Sequence, residues 1–142
     1  MTAEERAGTT AEVIRATTAV GEFYYASASA VGLTVQEARL LFILGLEPRN
    51  MLGLTSALKL PKSTMTGLIA RMESAGLLVR EPDDRDRRRL VATPTAAGRE
   101  AAARFAHDLA GRVDAALSPL GAGQRAELAS ILTDVLQSAE PD

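Results

Sequence analysis

Arginine is concentrated in one short segment of the 142-residue chain. Five arginines fall within ten residues and four acids lie among them: Arg80, Arg85, Arg87, Arg88 and Arg89, with Glu81, Asp83, Asp84 and Asp86. Arginine stays charged and offers a planar fork of donors that fits phosphates and base edges. The segment therefore indicates binding to an anionic partner. We expect its acids to offset part of the arginine charge and to hold the segment in one conformation before it binds.

The charge of the rest of the chain supports this interpretation only locally. The formal net charge is −2, yet residues 59–99 carry nine basic and five acidic side chains, while residues 1–58 and 100–142 are each net acidic. A basic centre between acidic ends indicates one surface for an anionic partner and another surface for a different contact.

Residues for other chemistry are scarce. The chain has no cysteine, which excludes disulfides, thiolate metal sites and thiol redox chemistry. It has one histidine, which argues against a His-rich metal site. The only candidate catalytic pair is His107 and Asp108, and adjacent helical residues point in different directions. There is no glycine-rich phosphate loop. The sequence therefore predicts a non-enzymatic protein with no cofactor and no metal.

Targeting signals are also lacking. No apolar run approaches the roughly 20 residues that a membrane-spanning helix needs. The first residues include Glu4 and Glu5 and lack the apolar stretch of a signal peptide. We therefore expect a cytoplasmic protein that makes no membrane contact.

Periodicity and capping patterns predict six helices and one hairpin. The helices are expected at about 10–31, 34–46, 51–59, 62–75, 95–117 and 122–138, and the strands at about 77–80 and 90–93. Thr9 and Glu12 are expected to form the capping box of the first helix, and Thr34 and Glu37 that of the second. Pro48 cannot continue the second helix.

The helix predicted at 62–75 has two distinct faces. Met65, Leu68, Ile69 and Met72 form an apolar stripe at helical spacing. The opposite face carries small residues: Ser63, Thr66, Gly67, Ala70 and Ser74. Such a face lets another surface approach the backbone closely, although an ordinary solvent face that happens to be small remains an alternative.

The order of elements predicts a mainly α protein with a small β-hairpin (α+β), a winged helix-turn-helix flanked by dimerisation helices. The 62–75 helix would be the recognition helix in the major groove, and the arginine-rich hairpin, residues 80–90, would be the wing. We call these the recognition helix and the wing from here on. Arginines of the wing could follow the backbone or enter a narrow minor groove.

Three helices remain with apolar stripes that this unit would not cover. The simplest way to bury those stripes is against a second copy of the chain, which would give a two-fold dimer that binds a palindrome. We therefore divide the chain into an N-terminal dimerisation helix, 1–33, the DNA-binding unit, 34–95, and C-terminal dimerisation helices, 96–142, within a single intertwined domain.

At this point the sequence resembles the MarR family of bacterial transcription regulators. The wing carries D-x-R-D-R-R at residues 83–88, followed six residues later by T-x-x-G at 95–98. Upstream, residues 60–69 and 72–77 resemble the recognition helix of that family and its L-E-x-x-G-L ending, with Met72 in place of the leucine. Pro94 stands where the family often has leucine, and we expect it only to shorten the second strand.

The resemblance implies a homodimer, a palindromic operator in double-stranded DNA and, usually, repression relieved by a small molecule. The lack of cysteine excludes the peroxide-sensing branch, and a single histidine argues against the zinc-sensing branch. An effector pocket would lie between the dimer helices and the DNA-binding unit. Residues there with distinctive chemistry are Phe23, Tyr24, Tyr25, Arg39, Phe42 and His107, although the sequence favours a core or surface position over a ligand contact for each of them.

The predicted DNA-binding residues lie on the recognition helix and the wing: Lys62, Ser63, Thr64, Thr66, Gly67 and Arg71, then Arg85, Arg87, Arg88 and Arg89. Arg88 aligns with the wing arginine of the family and is the first choice for the minor groove. Asp86 would orient it, or would instead cap the turn. Arg71 could contact DNA or pair with an acid elsewhere on the chain.

A different function stays open at this stage. A winged helix can bind another protein through the edge of its hairpin without specific DNA binding. A steep salt dependence of DNA binding would separate the two hypotheses, because counterions are released in proportion to the phosphates neutralised.

Overall fold

The computed structural model of the chain describes residues 1–46 and 49–140. Its elements are α1 (Ala3–Ala30), α2 (Val35–Leu46), α3 (Met51–Leu58), α4 (Lys62–Ser74), β1 (Leu78–Pro82), β2 (Leu90–Pro94), α5 (Ala96–Ala116) and α6 (Ala122–Ala139). The predicted mainly helical fold with one hairpin is confirmed. Pro48 and the last two residues of the predicted C-terminal segment lie outside the described residues.

The chain divides into two compact units, Met1–Leu109 and a second that begins at Ala110. In the first unit, α2, α3, α4 and the hairpin share one apolar core. The predicted stripe of α4 is buried there, together with residues from every neighbouring element: Leu40, Leu41, Leu44, Leu54, Leu58, Met65, Leu68, Ile69, Met72, Leu78 and Ala92. This core fixes the face of α4 that points inward and leaves its small face outside.

The start of α1 differs from the sequence prediction. The helix begins seven residues earlier, at Ala3, where Thr2 and Glu5 form the capping box. The hydroxyls of Thr9 and Thr10 instead donate to the carbonyls of Glu5 and Arg6, inside the helix. The prediction was wrong because the same Thr-x-x-Glu spacing occurs twice, and the earlier copy gives the longer helix.

The hairpin is antiparallel, with Leu78 opposite Pro94 and Pro82 opposite Leu90. Pro94 does not shorten β2, contrary to the sequence prediction, because it is the last residue of the strand, where a missing N–H interrupts no ladder. A segment outside the hairpin also pairs with β2. The amide of Ala92 donates to the carbonyl of Arg49 at 3.1 Å, which ties β2 to the segment before α3.

The second unit contains the end of α5 and all of α6. Arg125 at the start of α6 donates to the Asp114 carboxylate at 2.6 Å, which closes the turn between the helices. No described residue of α6 is buried. Its predicted apolar stripe is about half exposed or more at Ile131, Leu132, Val135 and Leu136.

No single helix among residues 1–46 and 49–140 is long and apolar enough to cross a membrane; α1 and α2 satisfy the criteria of length and composition only as a pair bent by 85°. Within the same residues, no three histidine or carboxylate side chains lie close enough to share a metal ion.

The T-x-x-G segment forms the junction between α4, β1 and α5. The Thr95 hydroxyl donates to the carbonyl of Gly76 at 2.6 Å and accepts from the amide of Gly98 at 3.1 Å, so it caps α5 and holds the end of α4. Gly98 packs directly against Leu77: an added Cβ would overlap the Leu77 carbonyl oxygen and lie 3.3 Å from a methyl of Leu41. Only glycine permits this approach.

We expect Gly98→Ala to destabilise the fold by at least about 1–3 kcal/mol, because the new methyl must displace backbone rather than a flexible side chain. Gly111→Ala is the matched control, since the same helix offers open space at that position. It should stabilise the protein by up to about 1 kcal/mol through helix propensity. Denaturant unfolding measures both, and equal stability of the two variants would contradict the packing argument.

Candidate nucleic-acid interface

The recognition helix α4 is placed by a tight turn after α3. Lys59 ends α3 in the left-handed conformation, with φ 55°, and Pro61 precedes the first residue of α4. No side chain caps the N-terminus of α4. Lys62, Ser63 and Thr64 are exposed in its first turn, so backbone amides and side chains there can meet an anion.

The outward face of α4 is small, as the sequence indicates. Thr66 and Ala70 are exposed, and Gly67 is half-buried. A Cβ added at Gly67 would have only the end of the Arg71 side chain within 4 Å, at 3.9 Å. The Thr66 hydroxyl donates to the carbonyl of Lys62 at 2.9 Å, so its proton is already used within the helix. A flat surface can therefore approach the α4 backbone closely.

Arg71 lies near an acid and is still largely exposed. Its Nε lies 3.9 Å from a carboxylate oxygen of Glu37, which is mostly buried, while 65% of the Arg71 side chain is exposed. Because the contact is long, it is a weak ion pair that leaves the guanidinium accessible to solvent. Arg71 remains available to an anion beside α4.

The tip of the wing, residues 83–89, is closed by its own hydrogen bonds. The amide of Asp83 donates to the carbonyl of Arg89, and the amide of Arg89 donates to the carbonyl of Asp86, both at 2.9 Å. The Asp83 carboxylate accepts from the amide of Arg85 at 3.0 Å. Acids of the tip therefore order the backbone that carries the arginines.

Asp86 organises two of those arginines. One carboxylate oxygen accepts from the amide of Arg88 at 3.2 Å and from its Nε at 3.1 Å. The other lies 3.6 Å from Nε of Arg89. The side chains of Arg88 and Arg89 are nevertheless 91% and 66% exposed. Asp86 thus caps the turn and orients Arg88 at the same time, and the two interpretations of the sequence are compatible.

The same contacts act on the ionisation of Asp86. The hydrogen bonds from the Arg88 side chain and amide, with the charge of Arg89, hold the pKa of the Asp86 carboxyl below its ordinary value of 3.8. Because these donors favour the charged form, the carboxylate of Asp86 stays ionised at neutral pH.

The remaining predicted contacts, Arg85 and Arg87, are exposed in the same tip. The structure thus brings the wing arginines together on one loop and the small residues on one helix face. Their contact with DNA stays a prediction. Two features were missed from the sequence: the Arg49–Ala92 bridge, and an ion pair between Arg80 in β1 and Glu73 in α4, with Nε and Oε1 2.8 Å apart.

The residues expected near an effector do not all converge. Tyr24 and Arg39 line a groove of about 350 Å³ between α1 and α2, together with Thr17, Val20, Gly21 and Val35. Phe23 is half-buried, whereas Tyr25, Phe42 and His107 are exposed. Arg39 is half-buried and makes no hydrogen bond or ion pair with another described residue. An anionic group could therefore be accepted there.

Comparison with known proteins finds a family match over part of the chain. Residues 31–89 match the sequence profile of the MarR family. Among curated proteins, no sequence gives a significant match. The chain is similar in structure to RV1404 from Mycobacterium tuberculosis, with a TM-score of 0.79 and 23% identity over 100% of this chain and 98% of that one.

Two further solved structures contain a bound partner. The MarR family protein RV2887 from Mycobacterium tuberculosis, in complex with p-aminosalicylic acid, has a TM-score of 0.71 and 24% identity, covering 89% of this chain and 96% of that one. The transcriptional repressor CouR, bound to a 23-mer DNA duplex, has a TM-score of 0.71 and 28% identity, covering 88% and 89% of the two chains.

The Asp86–Arg88 contact predicts a specific pH dependence. Since the folded-state pKa is depressed, the contact contributes stability above the ordinary pKa of 3.8 and loses it as the pH falls through the folded-state pKa. A carboxyl NMR titration should place the Asp86 midpoint below 3.8, and Arg88→Gln should raise it. Arg15→Gln, in α1, is the control; the same midpoint in both variants would refute the contact.

Proposed function

We propose that the chain is a MarR-family regulator, on the strength of the match over residues 31–89, and that it acts as a dimeric, sequence-specific DNA-binding transcription repressor. The observation that carries the proposal is the wing tip: Arg88 is 91% exposed but oriented by Asp86, next to a recognition helix with a small, open face. An exposed arginine that a carboxylate orients suits a loop that meets an anionic partner.

The two elements suit the two grooves of a duplex. The N-terminal half of α4, with Ser63, Thr64 and Thr66, would contact base edges in the major groove, while Lys62 and Arg71 would contact phosphates. Arg88 would enter the adjacent minor groove, and Arg85, Arg87 and Arg89 would contact the backbone beside it. Phosphate contacts would supply most of the affinity, and base contacts the specificity.

Dimerisation follows from apolar surface that one chain leaves uncovered. Val13 and Ile14 of α1 are 55% and 61% exposed, and the stripe of α6 is similarly open. Monomeric proteins rarely leave such stripes in water. A two-fold dimer would bury them and present two copies of α4 and of the wing to a palindromic operator.

Repression is the simplest consequence of such binding, since a dimer that covers an operator excludes other proteins from it. The related CouR is a transcriptional repressor and was solved on a DNA duplex, which supports this assignment. A protein with this function acts on the chromosome, in the cytoplasm.

Release by a small molecule completes the proposal. The groove between α1 and α2 offers about 350 Å³, and Arg39 and Tyr24 are among the residues that line it. The relative RV2887 was solved with p-aminosalicylic acid, a small aromatic acid. A ligand that binds one dimer conformation more tightly than the DNA-bound one would shift the population away from the operator.

The direct test is selection of fragmented genomic DNA of the source organism by the purified protein, at two salt concentrations. We expect a palindrome whose half-sites lie about one helical turn, roughly 34 Å, apart, bound by two chains. Affinity should fall steeply with salt because wing and helix cations displace counterions. Diffuse binding that salt abolishes, without a common sequence, would instead favour a protein-docking function.

Arg88→Ala should weaken binding to the selected duplex by about 1–3 kcal/mol and leave the fold intact. Arg104→Ala removes the same charge from an exposed position on α5 and should change affinity little. Fluorescence anisotropy measures both variants. Equal affinities would remove Arg88 from the DNA interface.

For the effector, p-aminosalicylate should dissociate the complex between the protein and the selected duplex, because its carboxylate can pair with Arg39. Loss of such a charged hydrogen bond in Arg39→Gln should raise the required concentration by roughly 10- to 100-fold. The decarboxylated analogue m-aminophenol is the control ligand. A complex insensitive to millimolar p-aminosalicylate, or an unaltered response of Arg39→Gln, would contradict this assignment.

A further inference from the structure

Arg80 and Glu73 join the two elements that the proposed function brings onto DNA. Glu73 lies in the last turn of α4, and Arg80 is the third residue of β1, seven positions later. Nε of Arg80 donates to Oε1 of Glu73 at 2.8 Å. Both side chains are partly shielded, with 40% and 34% of their surface exposed. This is a closer contact than the one between Arg71 and Glu37.

The Glu73–Arg80 pair adds a side-chain contact to a link between α4 and β1 that the backbone already makes short. Between its members, Gly76 adopts φ 74° and Leu77 donates back to the carbonyl of Met72, so the link from α4 to β1 is short and well defined. On the other strand, the bridge from Ala92 to Arg49 holds β2. Leu78, the first residue of β1, is buried in the core with Met72, and the Glu73 contact adds a second link between α4 and β1 two residues further along the strand.

We propose that Glu73 and Arg80 are positioning residues that fix the angle between the recognition helix and the wing, so that both grooves can be contacted at once. The inference rests on the proposed DNA-binding function. It assigns Arg80, one of the five clustered arginines, to the protein and not to phosphate, because its charge is paired across the α4–β1 junction and its side chain is 40% exposed, against 91% for Arg88.

This assignment makes a prediction opposite in sign to simple electrostatics. Removing an acid near a DNA-binding surface lowers repulsion and should tighten binding to any duplex. If Glu73 positions the wing, Glu73→Gln should instead weaken binding to the duplex recovered by genomic selection by roughly two- to fivefold, the range for a half-exposed ion pair. Binding to a scrambled duplex of the same composition should stay equal or tighten.

Two further variants separate positioning from phosphate contact. Arg80→Gln should lower the ratio of specific to scrambled affinity as Glu73→Gln does, without the decrease of about one in salt slope that loss of a phosphate contact produces. The exchanged pair, Glu73→Arg with Arg80→Glu, should recover most of that ratio. Hydroxyl-radical cleavage should show weaker minor-groove protection in Glu73→Gln, while dimethyl sulfate protection in the major groove persists.

Glu12→Gln is the matched control, since it removes the acid of the Arg15–Glu12 pair, 2.9 Å long, from α1. It should change neither ratio nor footprint. Tighter specific binding by Glu73→Gln, a reduced salt slope for Arg80→Gln, or no recovery in the exchanged pair would overturn the inference while DNA recognition stands. A wild-type protein that does not distinguish the selected duplex from the scrambled one would overturn the proposed function itself.

Discussion

The contact between Gly98 and the carbonyl of Leu77 is the constraint on which the geometry of the proposed DNA-binding surface depends. At this point α4 has ended, β1 begins and α5 starts, and the Leu77 carbonyl also accepts the amide of Thr95 at 3.1 Å. A side chain at position 98 would push α5 off the junction. Because the wing leaves from the same residues, backbone packing sets where it starts relative to α4, and the proposed restraint by Glu73 and Arg80 acts from that point.

The acids of the wing explain how a chain of net charge −2 can still offer a cationic site. Each acid of the tip whose contacts are described here binds a backbone amide or a guanidinium: Asp83 holds the amide of Arg85, and Asp86 holds Arg88 and approaches Arg89. They lower the local charge but leave the arginine ends in water. Net charge is therefore a poor guide to this surface, and the distribution along residues 59–99 is a better one.

Much of the fold could be predicted from the sequence because α4 and the hairpin are specified locally. The stripe from Met65 to Met72 has one helical period, and Gly76 ends the helix with positive φ. The start of α1 was predicted wrongly because two equivalent capping patterns lie in the same stretch of sequence. The bridge from Arg49 to Ala92 could not be predicted, because a single paired residue leaves no periodic pattern in the sequence. The Glu73–Arg80 pair could not be predicted either, because the sequence does not show which acid a given arginine contacts.

The wing tip also illustrates a balance between order and strength in recognition. An arginine that is held in place before binding loses less side-chain freedom when it meets DNA, which favours affinity. The same carboxylate that holds Arg88 weakens its attraction for phosphates at every sequence alike. The benefit of a pre-oriented arginine is gained only where the DNA groove fits its orientation, whereas charge attraction is the same at every sequence. Under the proposed function, a tip built from paired acids and arginines lowers non-specific affinity and favours discrimination, which suits a protein that must find few sites among many.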